Sequence, residues 1–182
     1  MRSRRPLLTS LTLFVVTILL GCSATSRKSP DVSDSIRKSL DQAGLSDVQV
    51  SQDRDSGVVT VSGQVPNERD KSQAESIAKS IAAGQVVANQ ISVVPLGAES
   101  EAKDVNSDLD KAIDKNLDAV LIQRRLNKDV KYEVKNGVVT LTGDVTSQSK
   151  RAEVEKLASS IPNVKQVVNE LQVRHQKATS SK

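Results

Sequence analysis

Hydrophobic residues recur with two different periods along this chain of 182 residues, and the two periods predict helices and strands in a fixed order. Val32, Ile36 and Leu40 are four residues apart, which is the spacing of one face of an amphipathic helix. Val48 and Val50 alternate with polar residues, which is typical of a strand. A polar turn, a second strand, a second helix and a third strand follow. The pattern therefore predicts an α-β-β-α-β module.

The module occurs twice. The stretch from Gly57 to Val65, Gly-Val-Val-Thr-Val-Ser-Gly-Gln-Val, recurs from Gly137 to Val145 as Gly-Val-Val-Thr-Leu-Thr-Gly-Asp-Val. A hairpin gives an antiparallel pair of strands, and a β-α-β connection gives a parallel pair. The predicted fold class is therefore α+β. Each of the two tandem modules forms a small three-stranded mixed sheet with both helices packed on one face.

Changes of composition set the expected boundaries. A short acidic segment separates the modules, and Ser107 or Asp108 is predicted to cap the helix that follows it. The expected order is a polar tether over 22–30, a first domain over 31–97, a linker over 98–108, a second domain over 109–175 and a disordered tail over 176–182.

The first residues predict export. Three arginines precede an apolar run from Leu7 to Leu20, which is the pattern of a signal peptide over residues 1–21. Leu19-Leu20-Gly21-Cys22 resembles the lipobox of bacterial lipoproteins. The resemblance implies lipid attachment at Cys22, and Ser23 after it implies sorting to the outer membrane, facing the periplasm. The alternative is an ordinary secretory signal, or an uncleaved anchor, with an incidental cysteine.

Composition excludes several functions. The chain has one histidine, one cysteine and no tryptophan, so it cannot build a zinc site from the usual ligands or form an intrachain disulfide. Phe14 and Tyr132 are the two aromatic residues, too few to stack nucleic-acid bases. Glu153 and Glu155 point to different sides of a predicted helix and do not form an acid–base pair. We therefore expect no cofactor, no metal, no nucleic-acid partner and no enzymatic activity.

A family resemblance follows from the repeated elements. A hairpin strand Gly-Val-Val-Thr-Leu-Thr-Gly, a helix ending Ala-Ser-Ser-Ile and a strand Val-Val-Asn-Glu-Leu-Gln-Val resemble the BON domain. A lipobox followed by two such domains is similar to the dual-BON-domain outer-membrane lipoproteins of Gram-negative bacteria. The resemblance implies an envelope lipoprotein that binds anionic phospholipid of the inner leaflet through its second domain and supports outer-membrane integrity. A periplasmic adaptor for envelope-assembly proteins is the alternative.

The two modules differ in charge. Residues 31–97 hold 6 basic and 9 acidic side chains, for a net charge of −3, and residues 109–175 hold 12 and 9, for +3. Equal folds with opposite charge indicate different partners.

The first helix of each module concentrates this contrast. In the second module one side of the helix is predicted to carry Lys111, Lys115, Ile122 and Arg125, with Asp118 among them. The first module has aspartates, Asp34 and Asp41, in place of Lys115 and Ile122. The hypothesis is that these four residues contact anionic phospholipid headgroups. The alternative is a solvated charged face with Ile122 packed against the first domain.

Overall fold

The computed structural model of the chain describes residues 28–174. The predicted signal peptide over 1–21, the lipidation site Cys22 and the tail over 176–182 lie outside the described residues. The described part contains two sheets, each covered by helices on one face, and this confirms the predicted α+β fold class.

The first domain has the predicted order of elements. Its first helix ends before Gly44, whose φ of 77° suits the turn out of a helix. Asn67 caps the second helix by accepting a hydrogen bond from the backbone N–H of Asp70 at 2.9 Å. The elements are α1 (Ser33–Gln42), β1 (Gln49–Asp53), β2 (Val58–Val65), α2 (Glu68–Ile81) and β3 (Val86–Val93).

The second domain repeats this order with a longer first helix and an interrupted last strand. Ser147 caps its second helix from the position equivalent to Asn67. The elements are α3 (Glu99–Gln123), β4 (Val130–Lys135), β5 (Val138–Val145), α4 (Gln148–Ser159), β6 (Gln166–Asn169) and β7 (Gln172–Val173).

Both sheets place their middle strand between an antiparallel and a parallel neighbour. The orders are β1-β2-β3 and β4-β5-β6, with β7 also pairing with β5. The hairpin pairs are antiparallel, and the strands joined through a helix are parallel. This is the mixed sheet that the connections predict.

The cores consist of equivalent residues. Ile36 and Leu40 of α1 are fully buried against the first sheet, as are Ile113 and Leu117 of α3 against the second. Burying one such side chain contributes about 1.5–3 kcal/mol. The strands contribute Val59, Val61 and Ile91 to the first core and Val139 and Leu141 to the second, which Leu171 joins from between β6 and β7.

The hairpin turns differ between the domains. Asn136 and Gly137 form a two-residue turn with φ of 51° and 81°, because β4 ends at Lys135 and β5 begins opposite it at Val138. This geometry is the one that the Asn-Gly pair predicts. In the first domain Asp53 pairs with Val58, so that turn is longer.

The segment between the domains is helical, which differs from the predicted linker over 98–108. Helix α3 begins at Glu99, so the cap predicted at Ser107 or Asp108 is wrong. No glycine or proline occurs between residues 98 and 123. Each added residue contributes one backbone hydrogen bond at little cost once a helix exists, so the helix extends upstream. The acidic composition of the segment concealed this continuity.

The structure also differs from the predicted tether at residues 28–30. The N–H of Ser29 donates to the carbonyl oxygen of Arg54 at 2.8 Å, and Arg54 Nε donates to the carbonyl oxygen of Ser29 at 2.8 Å. These two bonds attach the end of the segment to the β1–β2 turn.

The two sheets contact each other through their outer faces, away from the helices. Alternate residues of a strand face opposite sides, so the residues beside the core residues form this second surface. They occupy equivalent positions in the two domains. The buried residues of the contact are Val58, Ala88, Val138 and Val168.

Side-chain amides add hydrogen bonds across the contact. The N–H of Asn89 donates to Gln166 Oε1 at 3.1 Å, and Gln166 Nε2 donates to the carbonyl oxygen of Val87 at 2.7 Å. Asn136 Nδ2 donates to the carbonyl oxygen of Gln90 at 2.7 Å. Gln166 thus occupies the outer edge of β3 as a neighbouring strand would.

Candidate functional site

The candidate site begins with the outer side of α3. Ile113, Leu117 and Leu121 of this helix are at most 1% exposed and face the second core. The opposite side carries Lys111 and Lys115, both exposed, as the helical period predicts. The apolar side of α3 is therefore separated from the side that carries these two lysines.

The structure places Ile122 on the surface. Its side chain is 52% exposed and belongs to none of the buried clusters of the described residues. The alternative in which Ile122 packs against the first domain is therefore wrong. Ile122 lies seven residues beyond Lys115, about 10 Å further along the helix axis.

Arg125 lies beyond the helix rather than on it, since α3 ends at Gln123. The N–H of Leu126 donates to the carbonyl oxygen of Leu121 at 2.8 Å, which closes the helix end and places Arg125 at a φ of 57°. Gly44 occupies the equivalent position after α1. An arginine in this left-handed conformation costs about 1 kcal/mol relative to glycine. Arg125 is exposed and contributes its charge near Ile122 from this turn.

Of the four predicted residues, Lys111 and Lys115 come together beside a groove between the domains. The groove has a volume of about 700 Å³. One wall is α3, which also contributes Lys103, and the other is formed by the ends of β1, β2 and β3. Lys135, at the end of β4, lines it as well.

Sequence reasoning missed Lys103 and Lys135. Lys103 lies 18 residues, or five helical turns, before the buried Leu121, so the helical period alone assigns it to the core-facing side. Its place in the groove comes from the packing of the two domains. Lys135 belongs to a strand and meets these residues through the tertiary fold alone.

Asp110 connects α3 to the hairpin of its own domain. Its carboxylate accepts hydrogen bonds from the backbone N–H groups of Asn136 at 2.7 Å and Gly137 at 2.8 Å. Asn136 in turn donates to Gln90 of the first domain. One carboxylate therefore fixes the turn from which the second domain reaches the first.

Tyr132 ties β4 to α3. Its hydroxyl donates to the carbonyl oxygen of Asp114 at 3.2 Å. Burial, followed by the nearby carboxylates of Asp114 and Asp118, raises the pKa of Tyr132 to about 12. The phenol is therefore neutral at physiological pH, and its hydrogen bond holds β4 against α3.

An asparagine–glutamate pair supports each domain at an equivalent place. Asn89 Nδ2 donates to Glu75 Oε2 and Asn169 Nδ2 donates to Glu155 Oε2, both at 2.8 Å. Each asparagine Oδ1 also accepts the backbone N–H two residues further along the chain. Hydrogen bonds from Lys79 and then Asn89 lower the pKa of Glu75. These polar pairs join helix to strand and are structural.

Like charges flank the contact between the domains. Burial, and then the carboxylate of Asp53, raises the pKa of Glu170. Burial, and then the cation of Lys165, lowers the pKa of Lys71. Both cross-domain pairs repel, so the apolar contact and the amide hydrogen bonds hold the domains together against them.

Two classes of site are missing from residues 28–174. They contain no group of three or more histidine, cysteine, aspartate or glutamate side chains placed to hold a metal ion. None of the helices in this range is long and apolar enough to span a membrane.

Comparison with known proteins identifies the family of both modules. A family model described as BON domain matches residues 29–95 and 106–175. Osmotically-inducible protein Y of Escherichia coli (strain K12) is 28% identical over 137 residues, covering 74% of this chain and 67% of that protein.

Two solved structures of CdsD, a structural protein of the type III secretion system of Chlamydia trachomatis, are also similar. One is its C-terminal domain, with a TM-score of 0.29 and 16% identity, covering 78% of this chain and 65% of that chain. This chain thus spans less than two thirds of that one. The other has a TM-score of 0.36 and 15% identity, covering 76% and 90%. Because the family model matches both modules and most of the sequence, this chain belongs to the BON domain family.

Proposed function

We propose that this chain is a non-enzymatic lipoprotein of the outer membrane, anchored through Cys22 and facing the periplasm. Its second BON domain binds anionic phospholipid of the inner leaflet through Lys111, Lys115, Ile122 and Arg125, and the protein supports outer-membrane integrity. The lipobox motif, membership of the BON family and similarity to an osmotically inducible protein support this proposal.

The observation that carries the proposal is the exposed Ile122, which lies on the side of α3 that carries Lys111 and Lys115 together with Asp118. A large apolar side chain that is 52% exposed is suited to the boundary between headgroups and acyl chains. In the first domain the positions equivalent to Lys115 and Ile122 are Asp34 and Asp41, both exposed. The same lipids would repel the two aspartates, so the contrast supports binding by the second domain rather than the first.

The energies suit a tethered protein. Each basic residue near an anionic surface contributes about 1 kcal/mol, and the contribution falls with added salt. Burying the exposed part of Ile122 adds about 1 kcal/mol. The total predicts weak membrane binding by a domain that has no lipid anchor. It becomes sufficient when a lipid anchor at Cys22 raises the local concentration of the domain at the membrane.

Vesicle flotation tests the surface directly. The unlipidated chain, residues 23–182, is mixed with phosphatidylglycerol-containing or purely zwitterionic vesicles, and the floated fraction is measured. We expect flotation with the anionic vesicles alone. Replacing Lys111, Lys115 and Arg125 by Glu should reduce it at least tenfold, and Ile122→Ser should reduce it severalfold.

A matched variant controls for net charge. Lys131, Lys150 and Lys156 belong to the same domain but lie outside the proposed surface, and replacing them by Glu changes the charge equally. Flotation should then fall far less. Equal losses in both triple variants would show a general charge effect and would overturn the proposed surface.

The adaptor role is favoured by one observation, the edge of β6. Gln166 covers the edge of β3, whereas its equivalent in the first domain is Val86, which has no amide to offer β6. On that edge Arg151 Nη2 donates to the carbonyl oxygen of Asn169 at 2.7 Å, so the edge of β6 is partly covered. Its remaining backbone groups can accept a strand from a partner protein. If neither the chain nor its charge-reversed variant floats with vesicles, and both capture the same purified envelope protein, the adaptor role replaces lipid binding.

A further inference from the structure

The groove beside α3 has the size and lining of a small-molecule site. Its volume of about 700 Å³ is in the range of ligand pockets in proteins. Lys103, Lys111 and Lys115 approach it from α3, and Lys135 approaches it from β4. Ser62 and Gln64, near the end of β2, contribute a hydroxyl and an amide from the first domain. The site therefore requires both domains.

The charge of the groove is net positive. Lys103, Lys115 and Lys135 have no acidic group within salt-bridge distance among the described residues, whereas Lys111 pairs with Asp108 at 3.1 Å. Asp110 and Asp114 also line the groove. The carboxylate of Asp110 already accepts two backbone N–H groups. An anion entering the groove thus meets three lysines with no acidic partner.

The walls of the groove are held in place independently of any ligand. Asn106 Nδ2, on α3, donates to Ser92 Oγ of β3 at 2.7 Å. Asn136 donates to Gln90, and Gln166 bonds to the edge of β3. Because these bonds cross from one domain to the other, the lysines and the hydroxyl groups keep their relative positions.

We propose that this groove binds the phosphate ester of a small polyol. The lysines bind the phosphate, and Ser62, Gln64 and Ser92 hydrogen-bond the hydroxyl groups. A lipid headgroup and a soluble polyol phosphate share this chemistry. The proposal rests on the proposed function only in its lipid form, in which the groove receives a headgroup while Ile122, on the same side of α3, contacts the bilayer.

Titration with a soluble ligand tests the groove by itself. Glycerol 3-phosphate is added to the ¹⁵N-labelled chain 23–182, and amide shifts are followed. We expect saturable shifts confined to the ends of β2 and β3, residues 103–115 of α3 and Lys135. Inorganic phosphate should bind at least threefold more weakly. Equal binding of the two, or shifts spread over the surface lysines, would overturn the proposal.

Variants outside the proposed membrane surface locate the binding. Lys103→Gln together with Lys135→Gln should weaken glycerol 3-phosphate binding at least fivefold. The matched change, Lys131→Gln with Lys156→Gln, should leave it unaltered. All four side chains are exposed, so folding is retained. Equal affinity of both double variants would contradict the assignment.

Vesicles then separate the two sources of ligand and the two proposals. If Lys103→Gln with Lys135→Gln also weakens flotation with phosphatidylglycerol vesicles, the ligand is a lipid headgroup. If flotation is unchanged, the ligand is a soluble polyol phosphate. Flotation without any shift by glycerol 3-phosphate overturns the groove alone. Saturable shifts without flotation overturn membrane binding alone.

Discussion

The two domains bury equivalent residues against equivalent sheets, but the helices that carry those residues have different surroundings. Helix α1 has 10 residues and carries Asp34 and Asp41 on its outer side, whereas α3 has 25 and carries Lys115 and Ile122 at the equivalent positions. A glycine ends the first helix and an arginine ends the second. The shared fold therefore fixes which residues are buried in both domains. The outer side of the first helix is free of this constraint and can serve a different function in each domain.

The largest expected effect concerns the part that the domains share. A Cβ at Gly63 would lie 2.5 Å from the carbonyl oxygen of Asp47, and one at Gly143 would meet the carbonyl oxygen of Asp129 even more closely. We expect Gly63→Ala and Gly143→Ala each to lower the free energy of unfolding of their own domain by about 3 kcal/mol. Urea unfolding followed by domain-resolved NMR measures this.

Gly44→Ala is the matched control for these changes. Gly44 has a positive φ, but no atom lies within 4 Å of an added Cβ. The expected loss is about 1 kcal/mol, from backbone strain alone. A loss at Gly143 no greater than that at Gly44 would contradict the close approach of the strands.

The next largest effect is expected in the second domain alone. Asp110→Ala should lower the stability of the second domain by about 2 kcal/mol, because two backbone donors lose a charged acceptor. Asp104→Ala, an exposed change on the same helix, should alter stability by less than about 0.5 kcal/mol. Thermal and urea unfolding measure both. Comparable effects would mean that the hairpin does not depend on Asp110.

A smaller effect is expected when the end of α3 receives the glycine that follows α1. Arg125→Gly should raise the free energy of unfolding by about 1 kcal/mol by relieving the left-handed arginine. The same variant should weaken vesicle flotation. Arg124→Gly is the control, since Arg124 has a φ of −87° and gains nothing from glycine. Destabilisation by both variants would show that the side chain of Arg125 makes stabilising contacts.

The smallest effects have opposite signs with pH. The lowered pKa of Glu75 means that its contribution is present above the usual carboxyl pKa and is lost as the pH falls through its folded pKa. The raised pKa of Glu170 means that its contribution is present at low pH and is lost as the pH rises through its folded pKa. At neutral pH, Glu75→Gln should destabilise and Glu170→Gln should stabilise, each by less than about 1 kcal/mol.

Urea midpoints measured at neutral and acidic pH check these signs. The difference between each variant and the parent should shrink towards acidic pH, where the native carboxyls are protonated. A Glu170→Gln variant that is less stable than the parent at neutral pH would show that Glu170 is not repelled by Asp53.

Local periodicity predicted the elements of both modules because each is a half-buried helix or strand with regular apolar residues. It also placed Lys111, Lys115 and Ile122 on one side of the helix, away from its core residues, because that placement depends on α3 alone. It left open whether Ile122 is exposed or packed against the first domain. Arg125 was placed on the helix because the end of α3 lacks the glycine that marks the end of α1.

The contact between the domains could not be predicted in this way. Val58 and Ala88 are residue types common in any strand, and no feature of the neighbouring sequence indicates that the second domain covers them. Lys135 joins the groove for the same reason, through tertiary contacts between segments distant in sequence. The sequence therefore predicted the charged side of one helix but not the site that two domains build beside it.

The amide of Gln166 has a consequence for how the chain can be divided. It covers the edge of β3 from a position 77 residues beyond the N–H that it binds. A fragment ending after Gly97 would expose that edge together with Val58 and Ala88. Uncovered strand edges promote association between copies. The first half is thus expected to remain soluble only when the second half covers it. The two repeated halves are therefore not independent of each other.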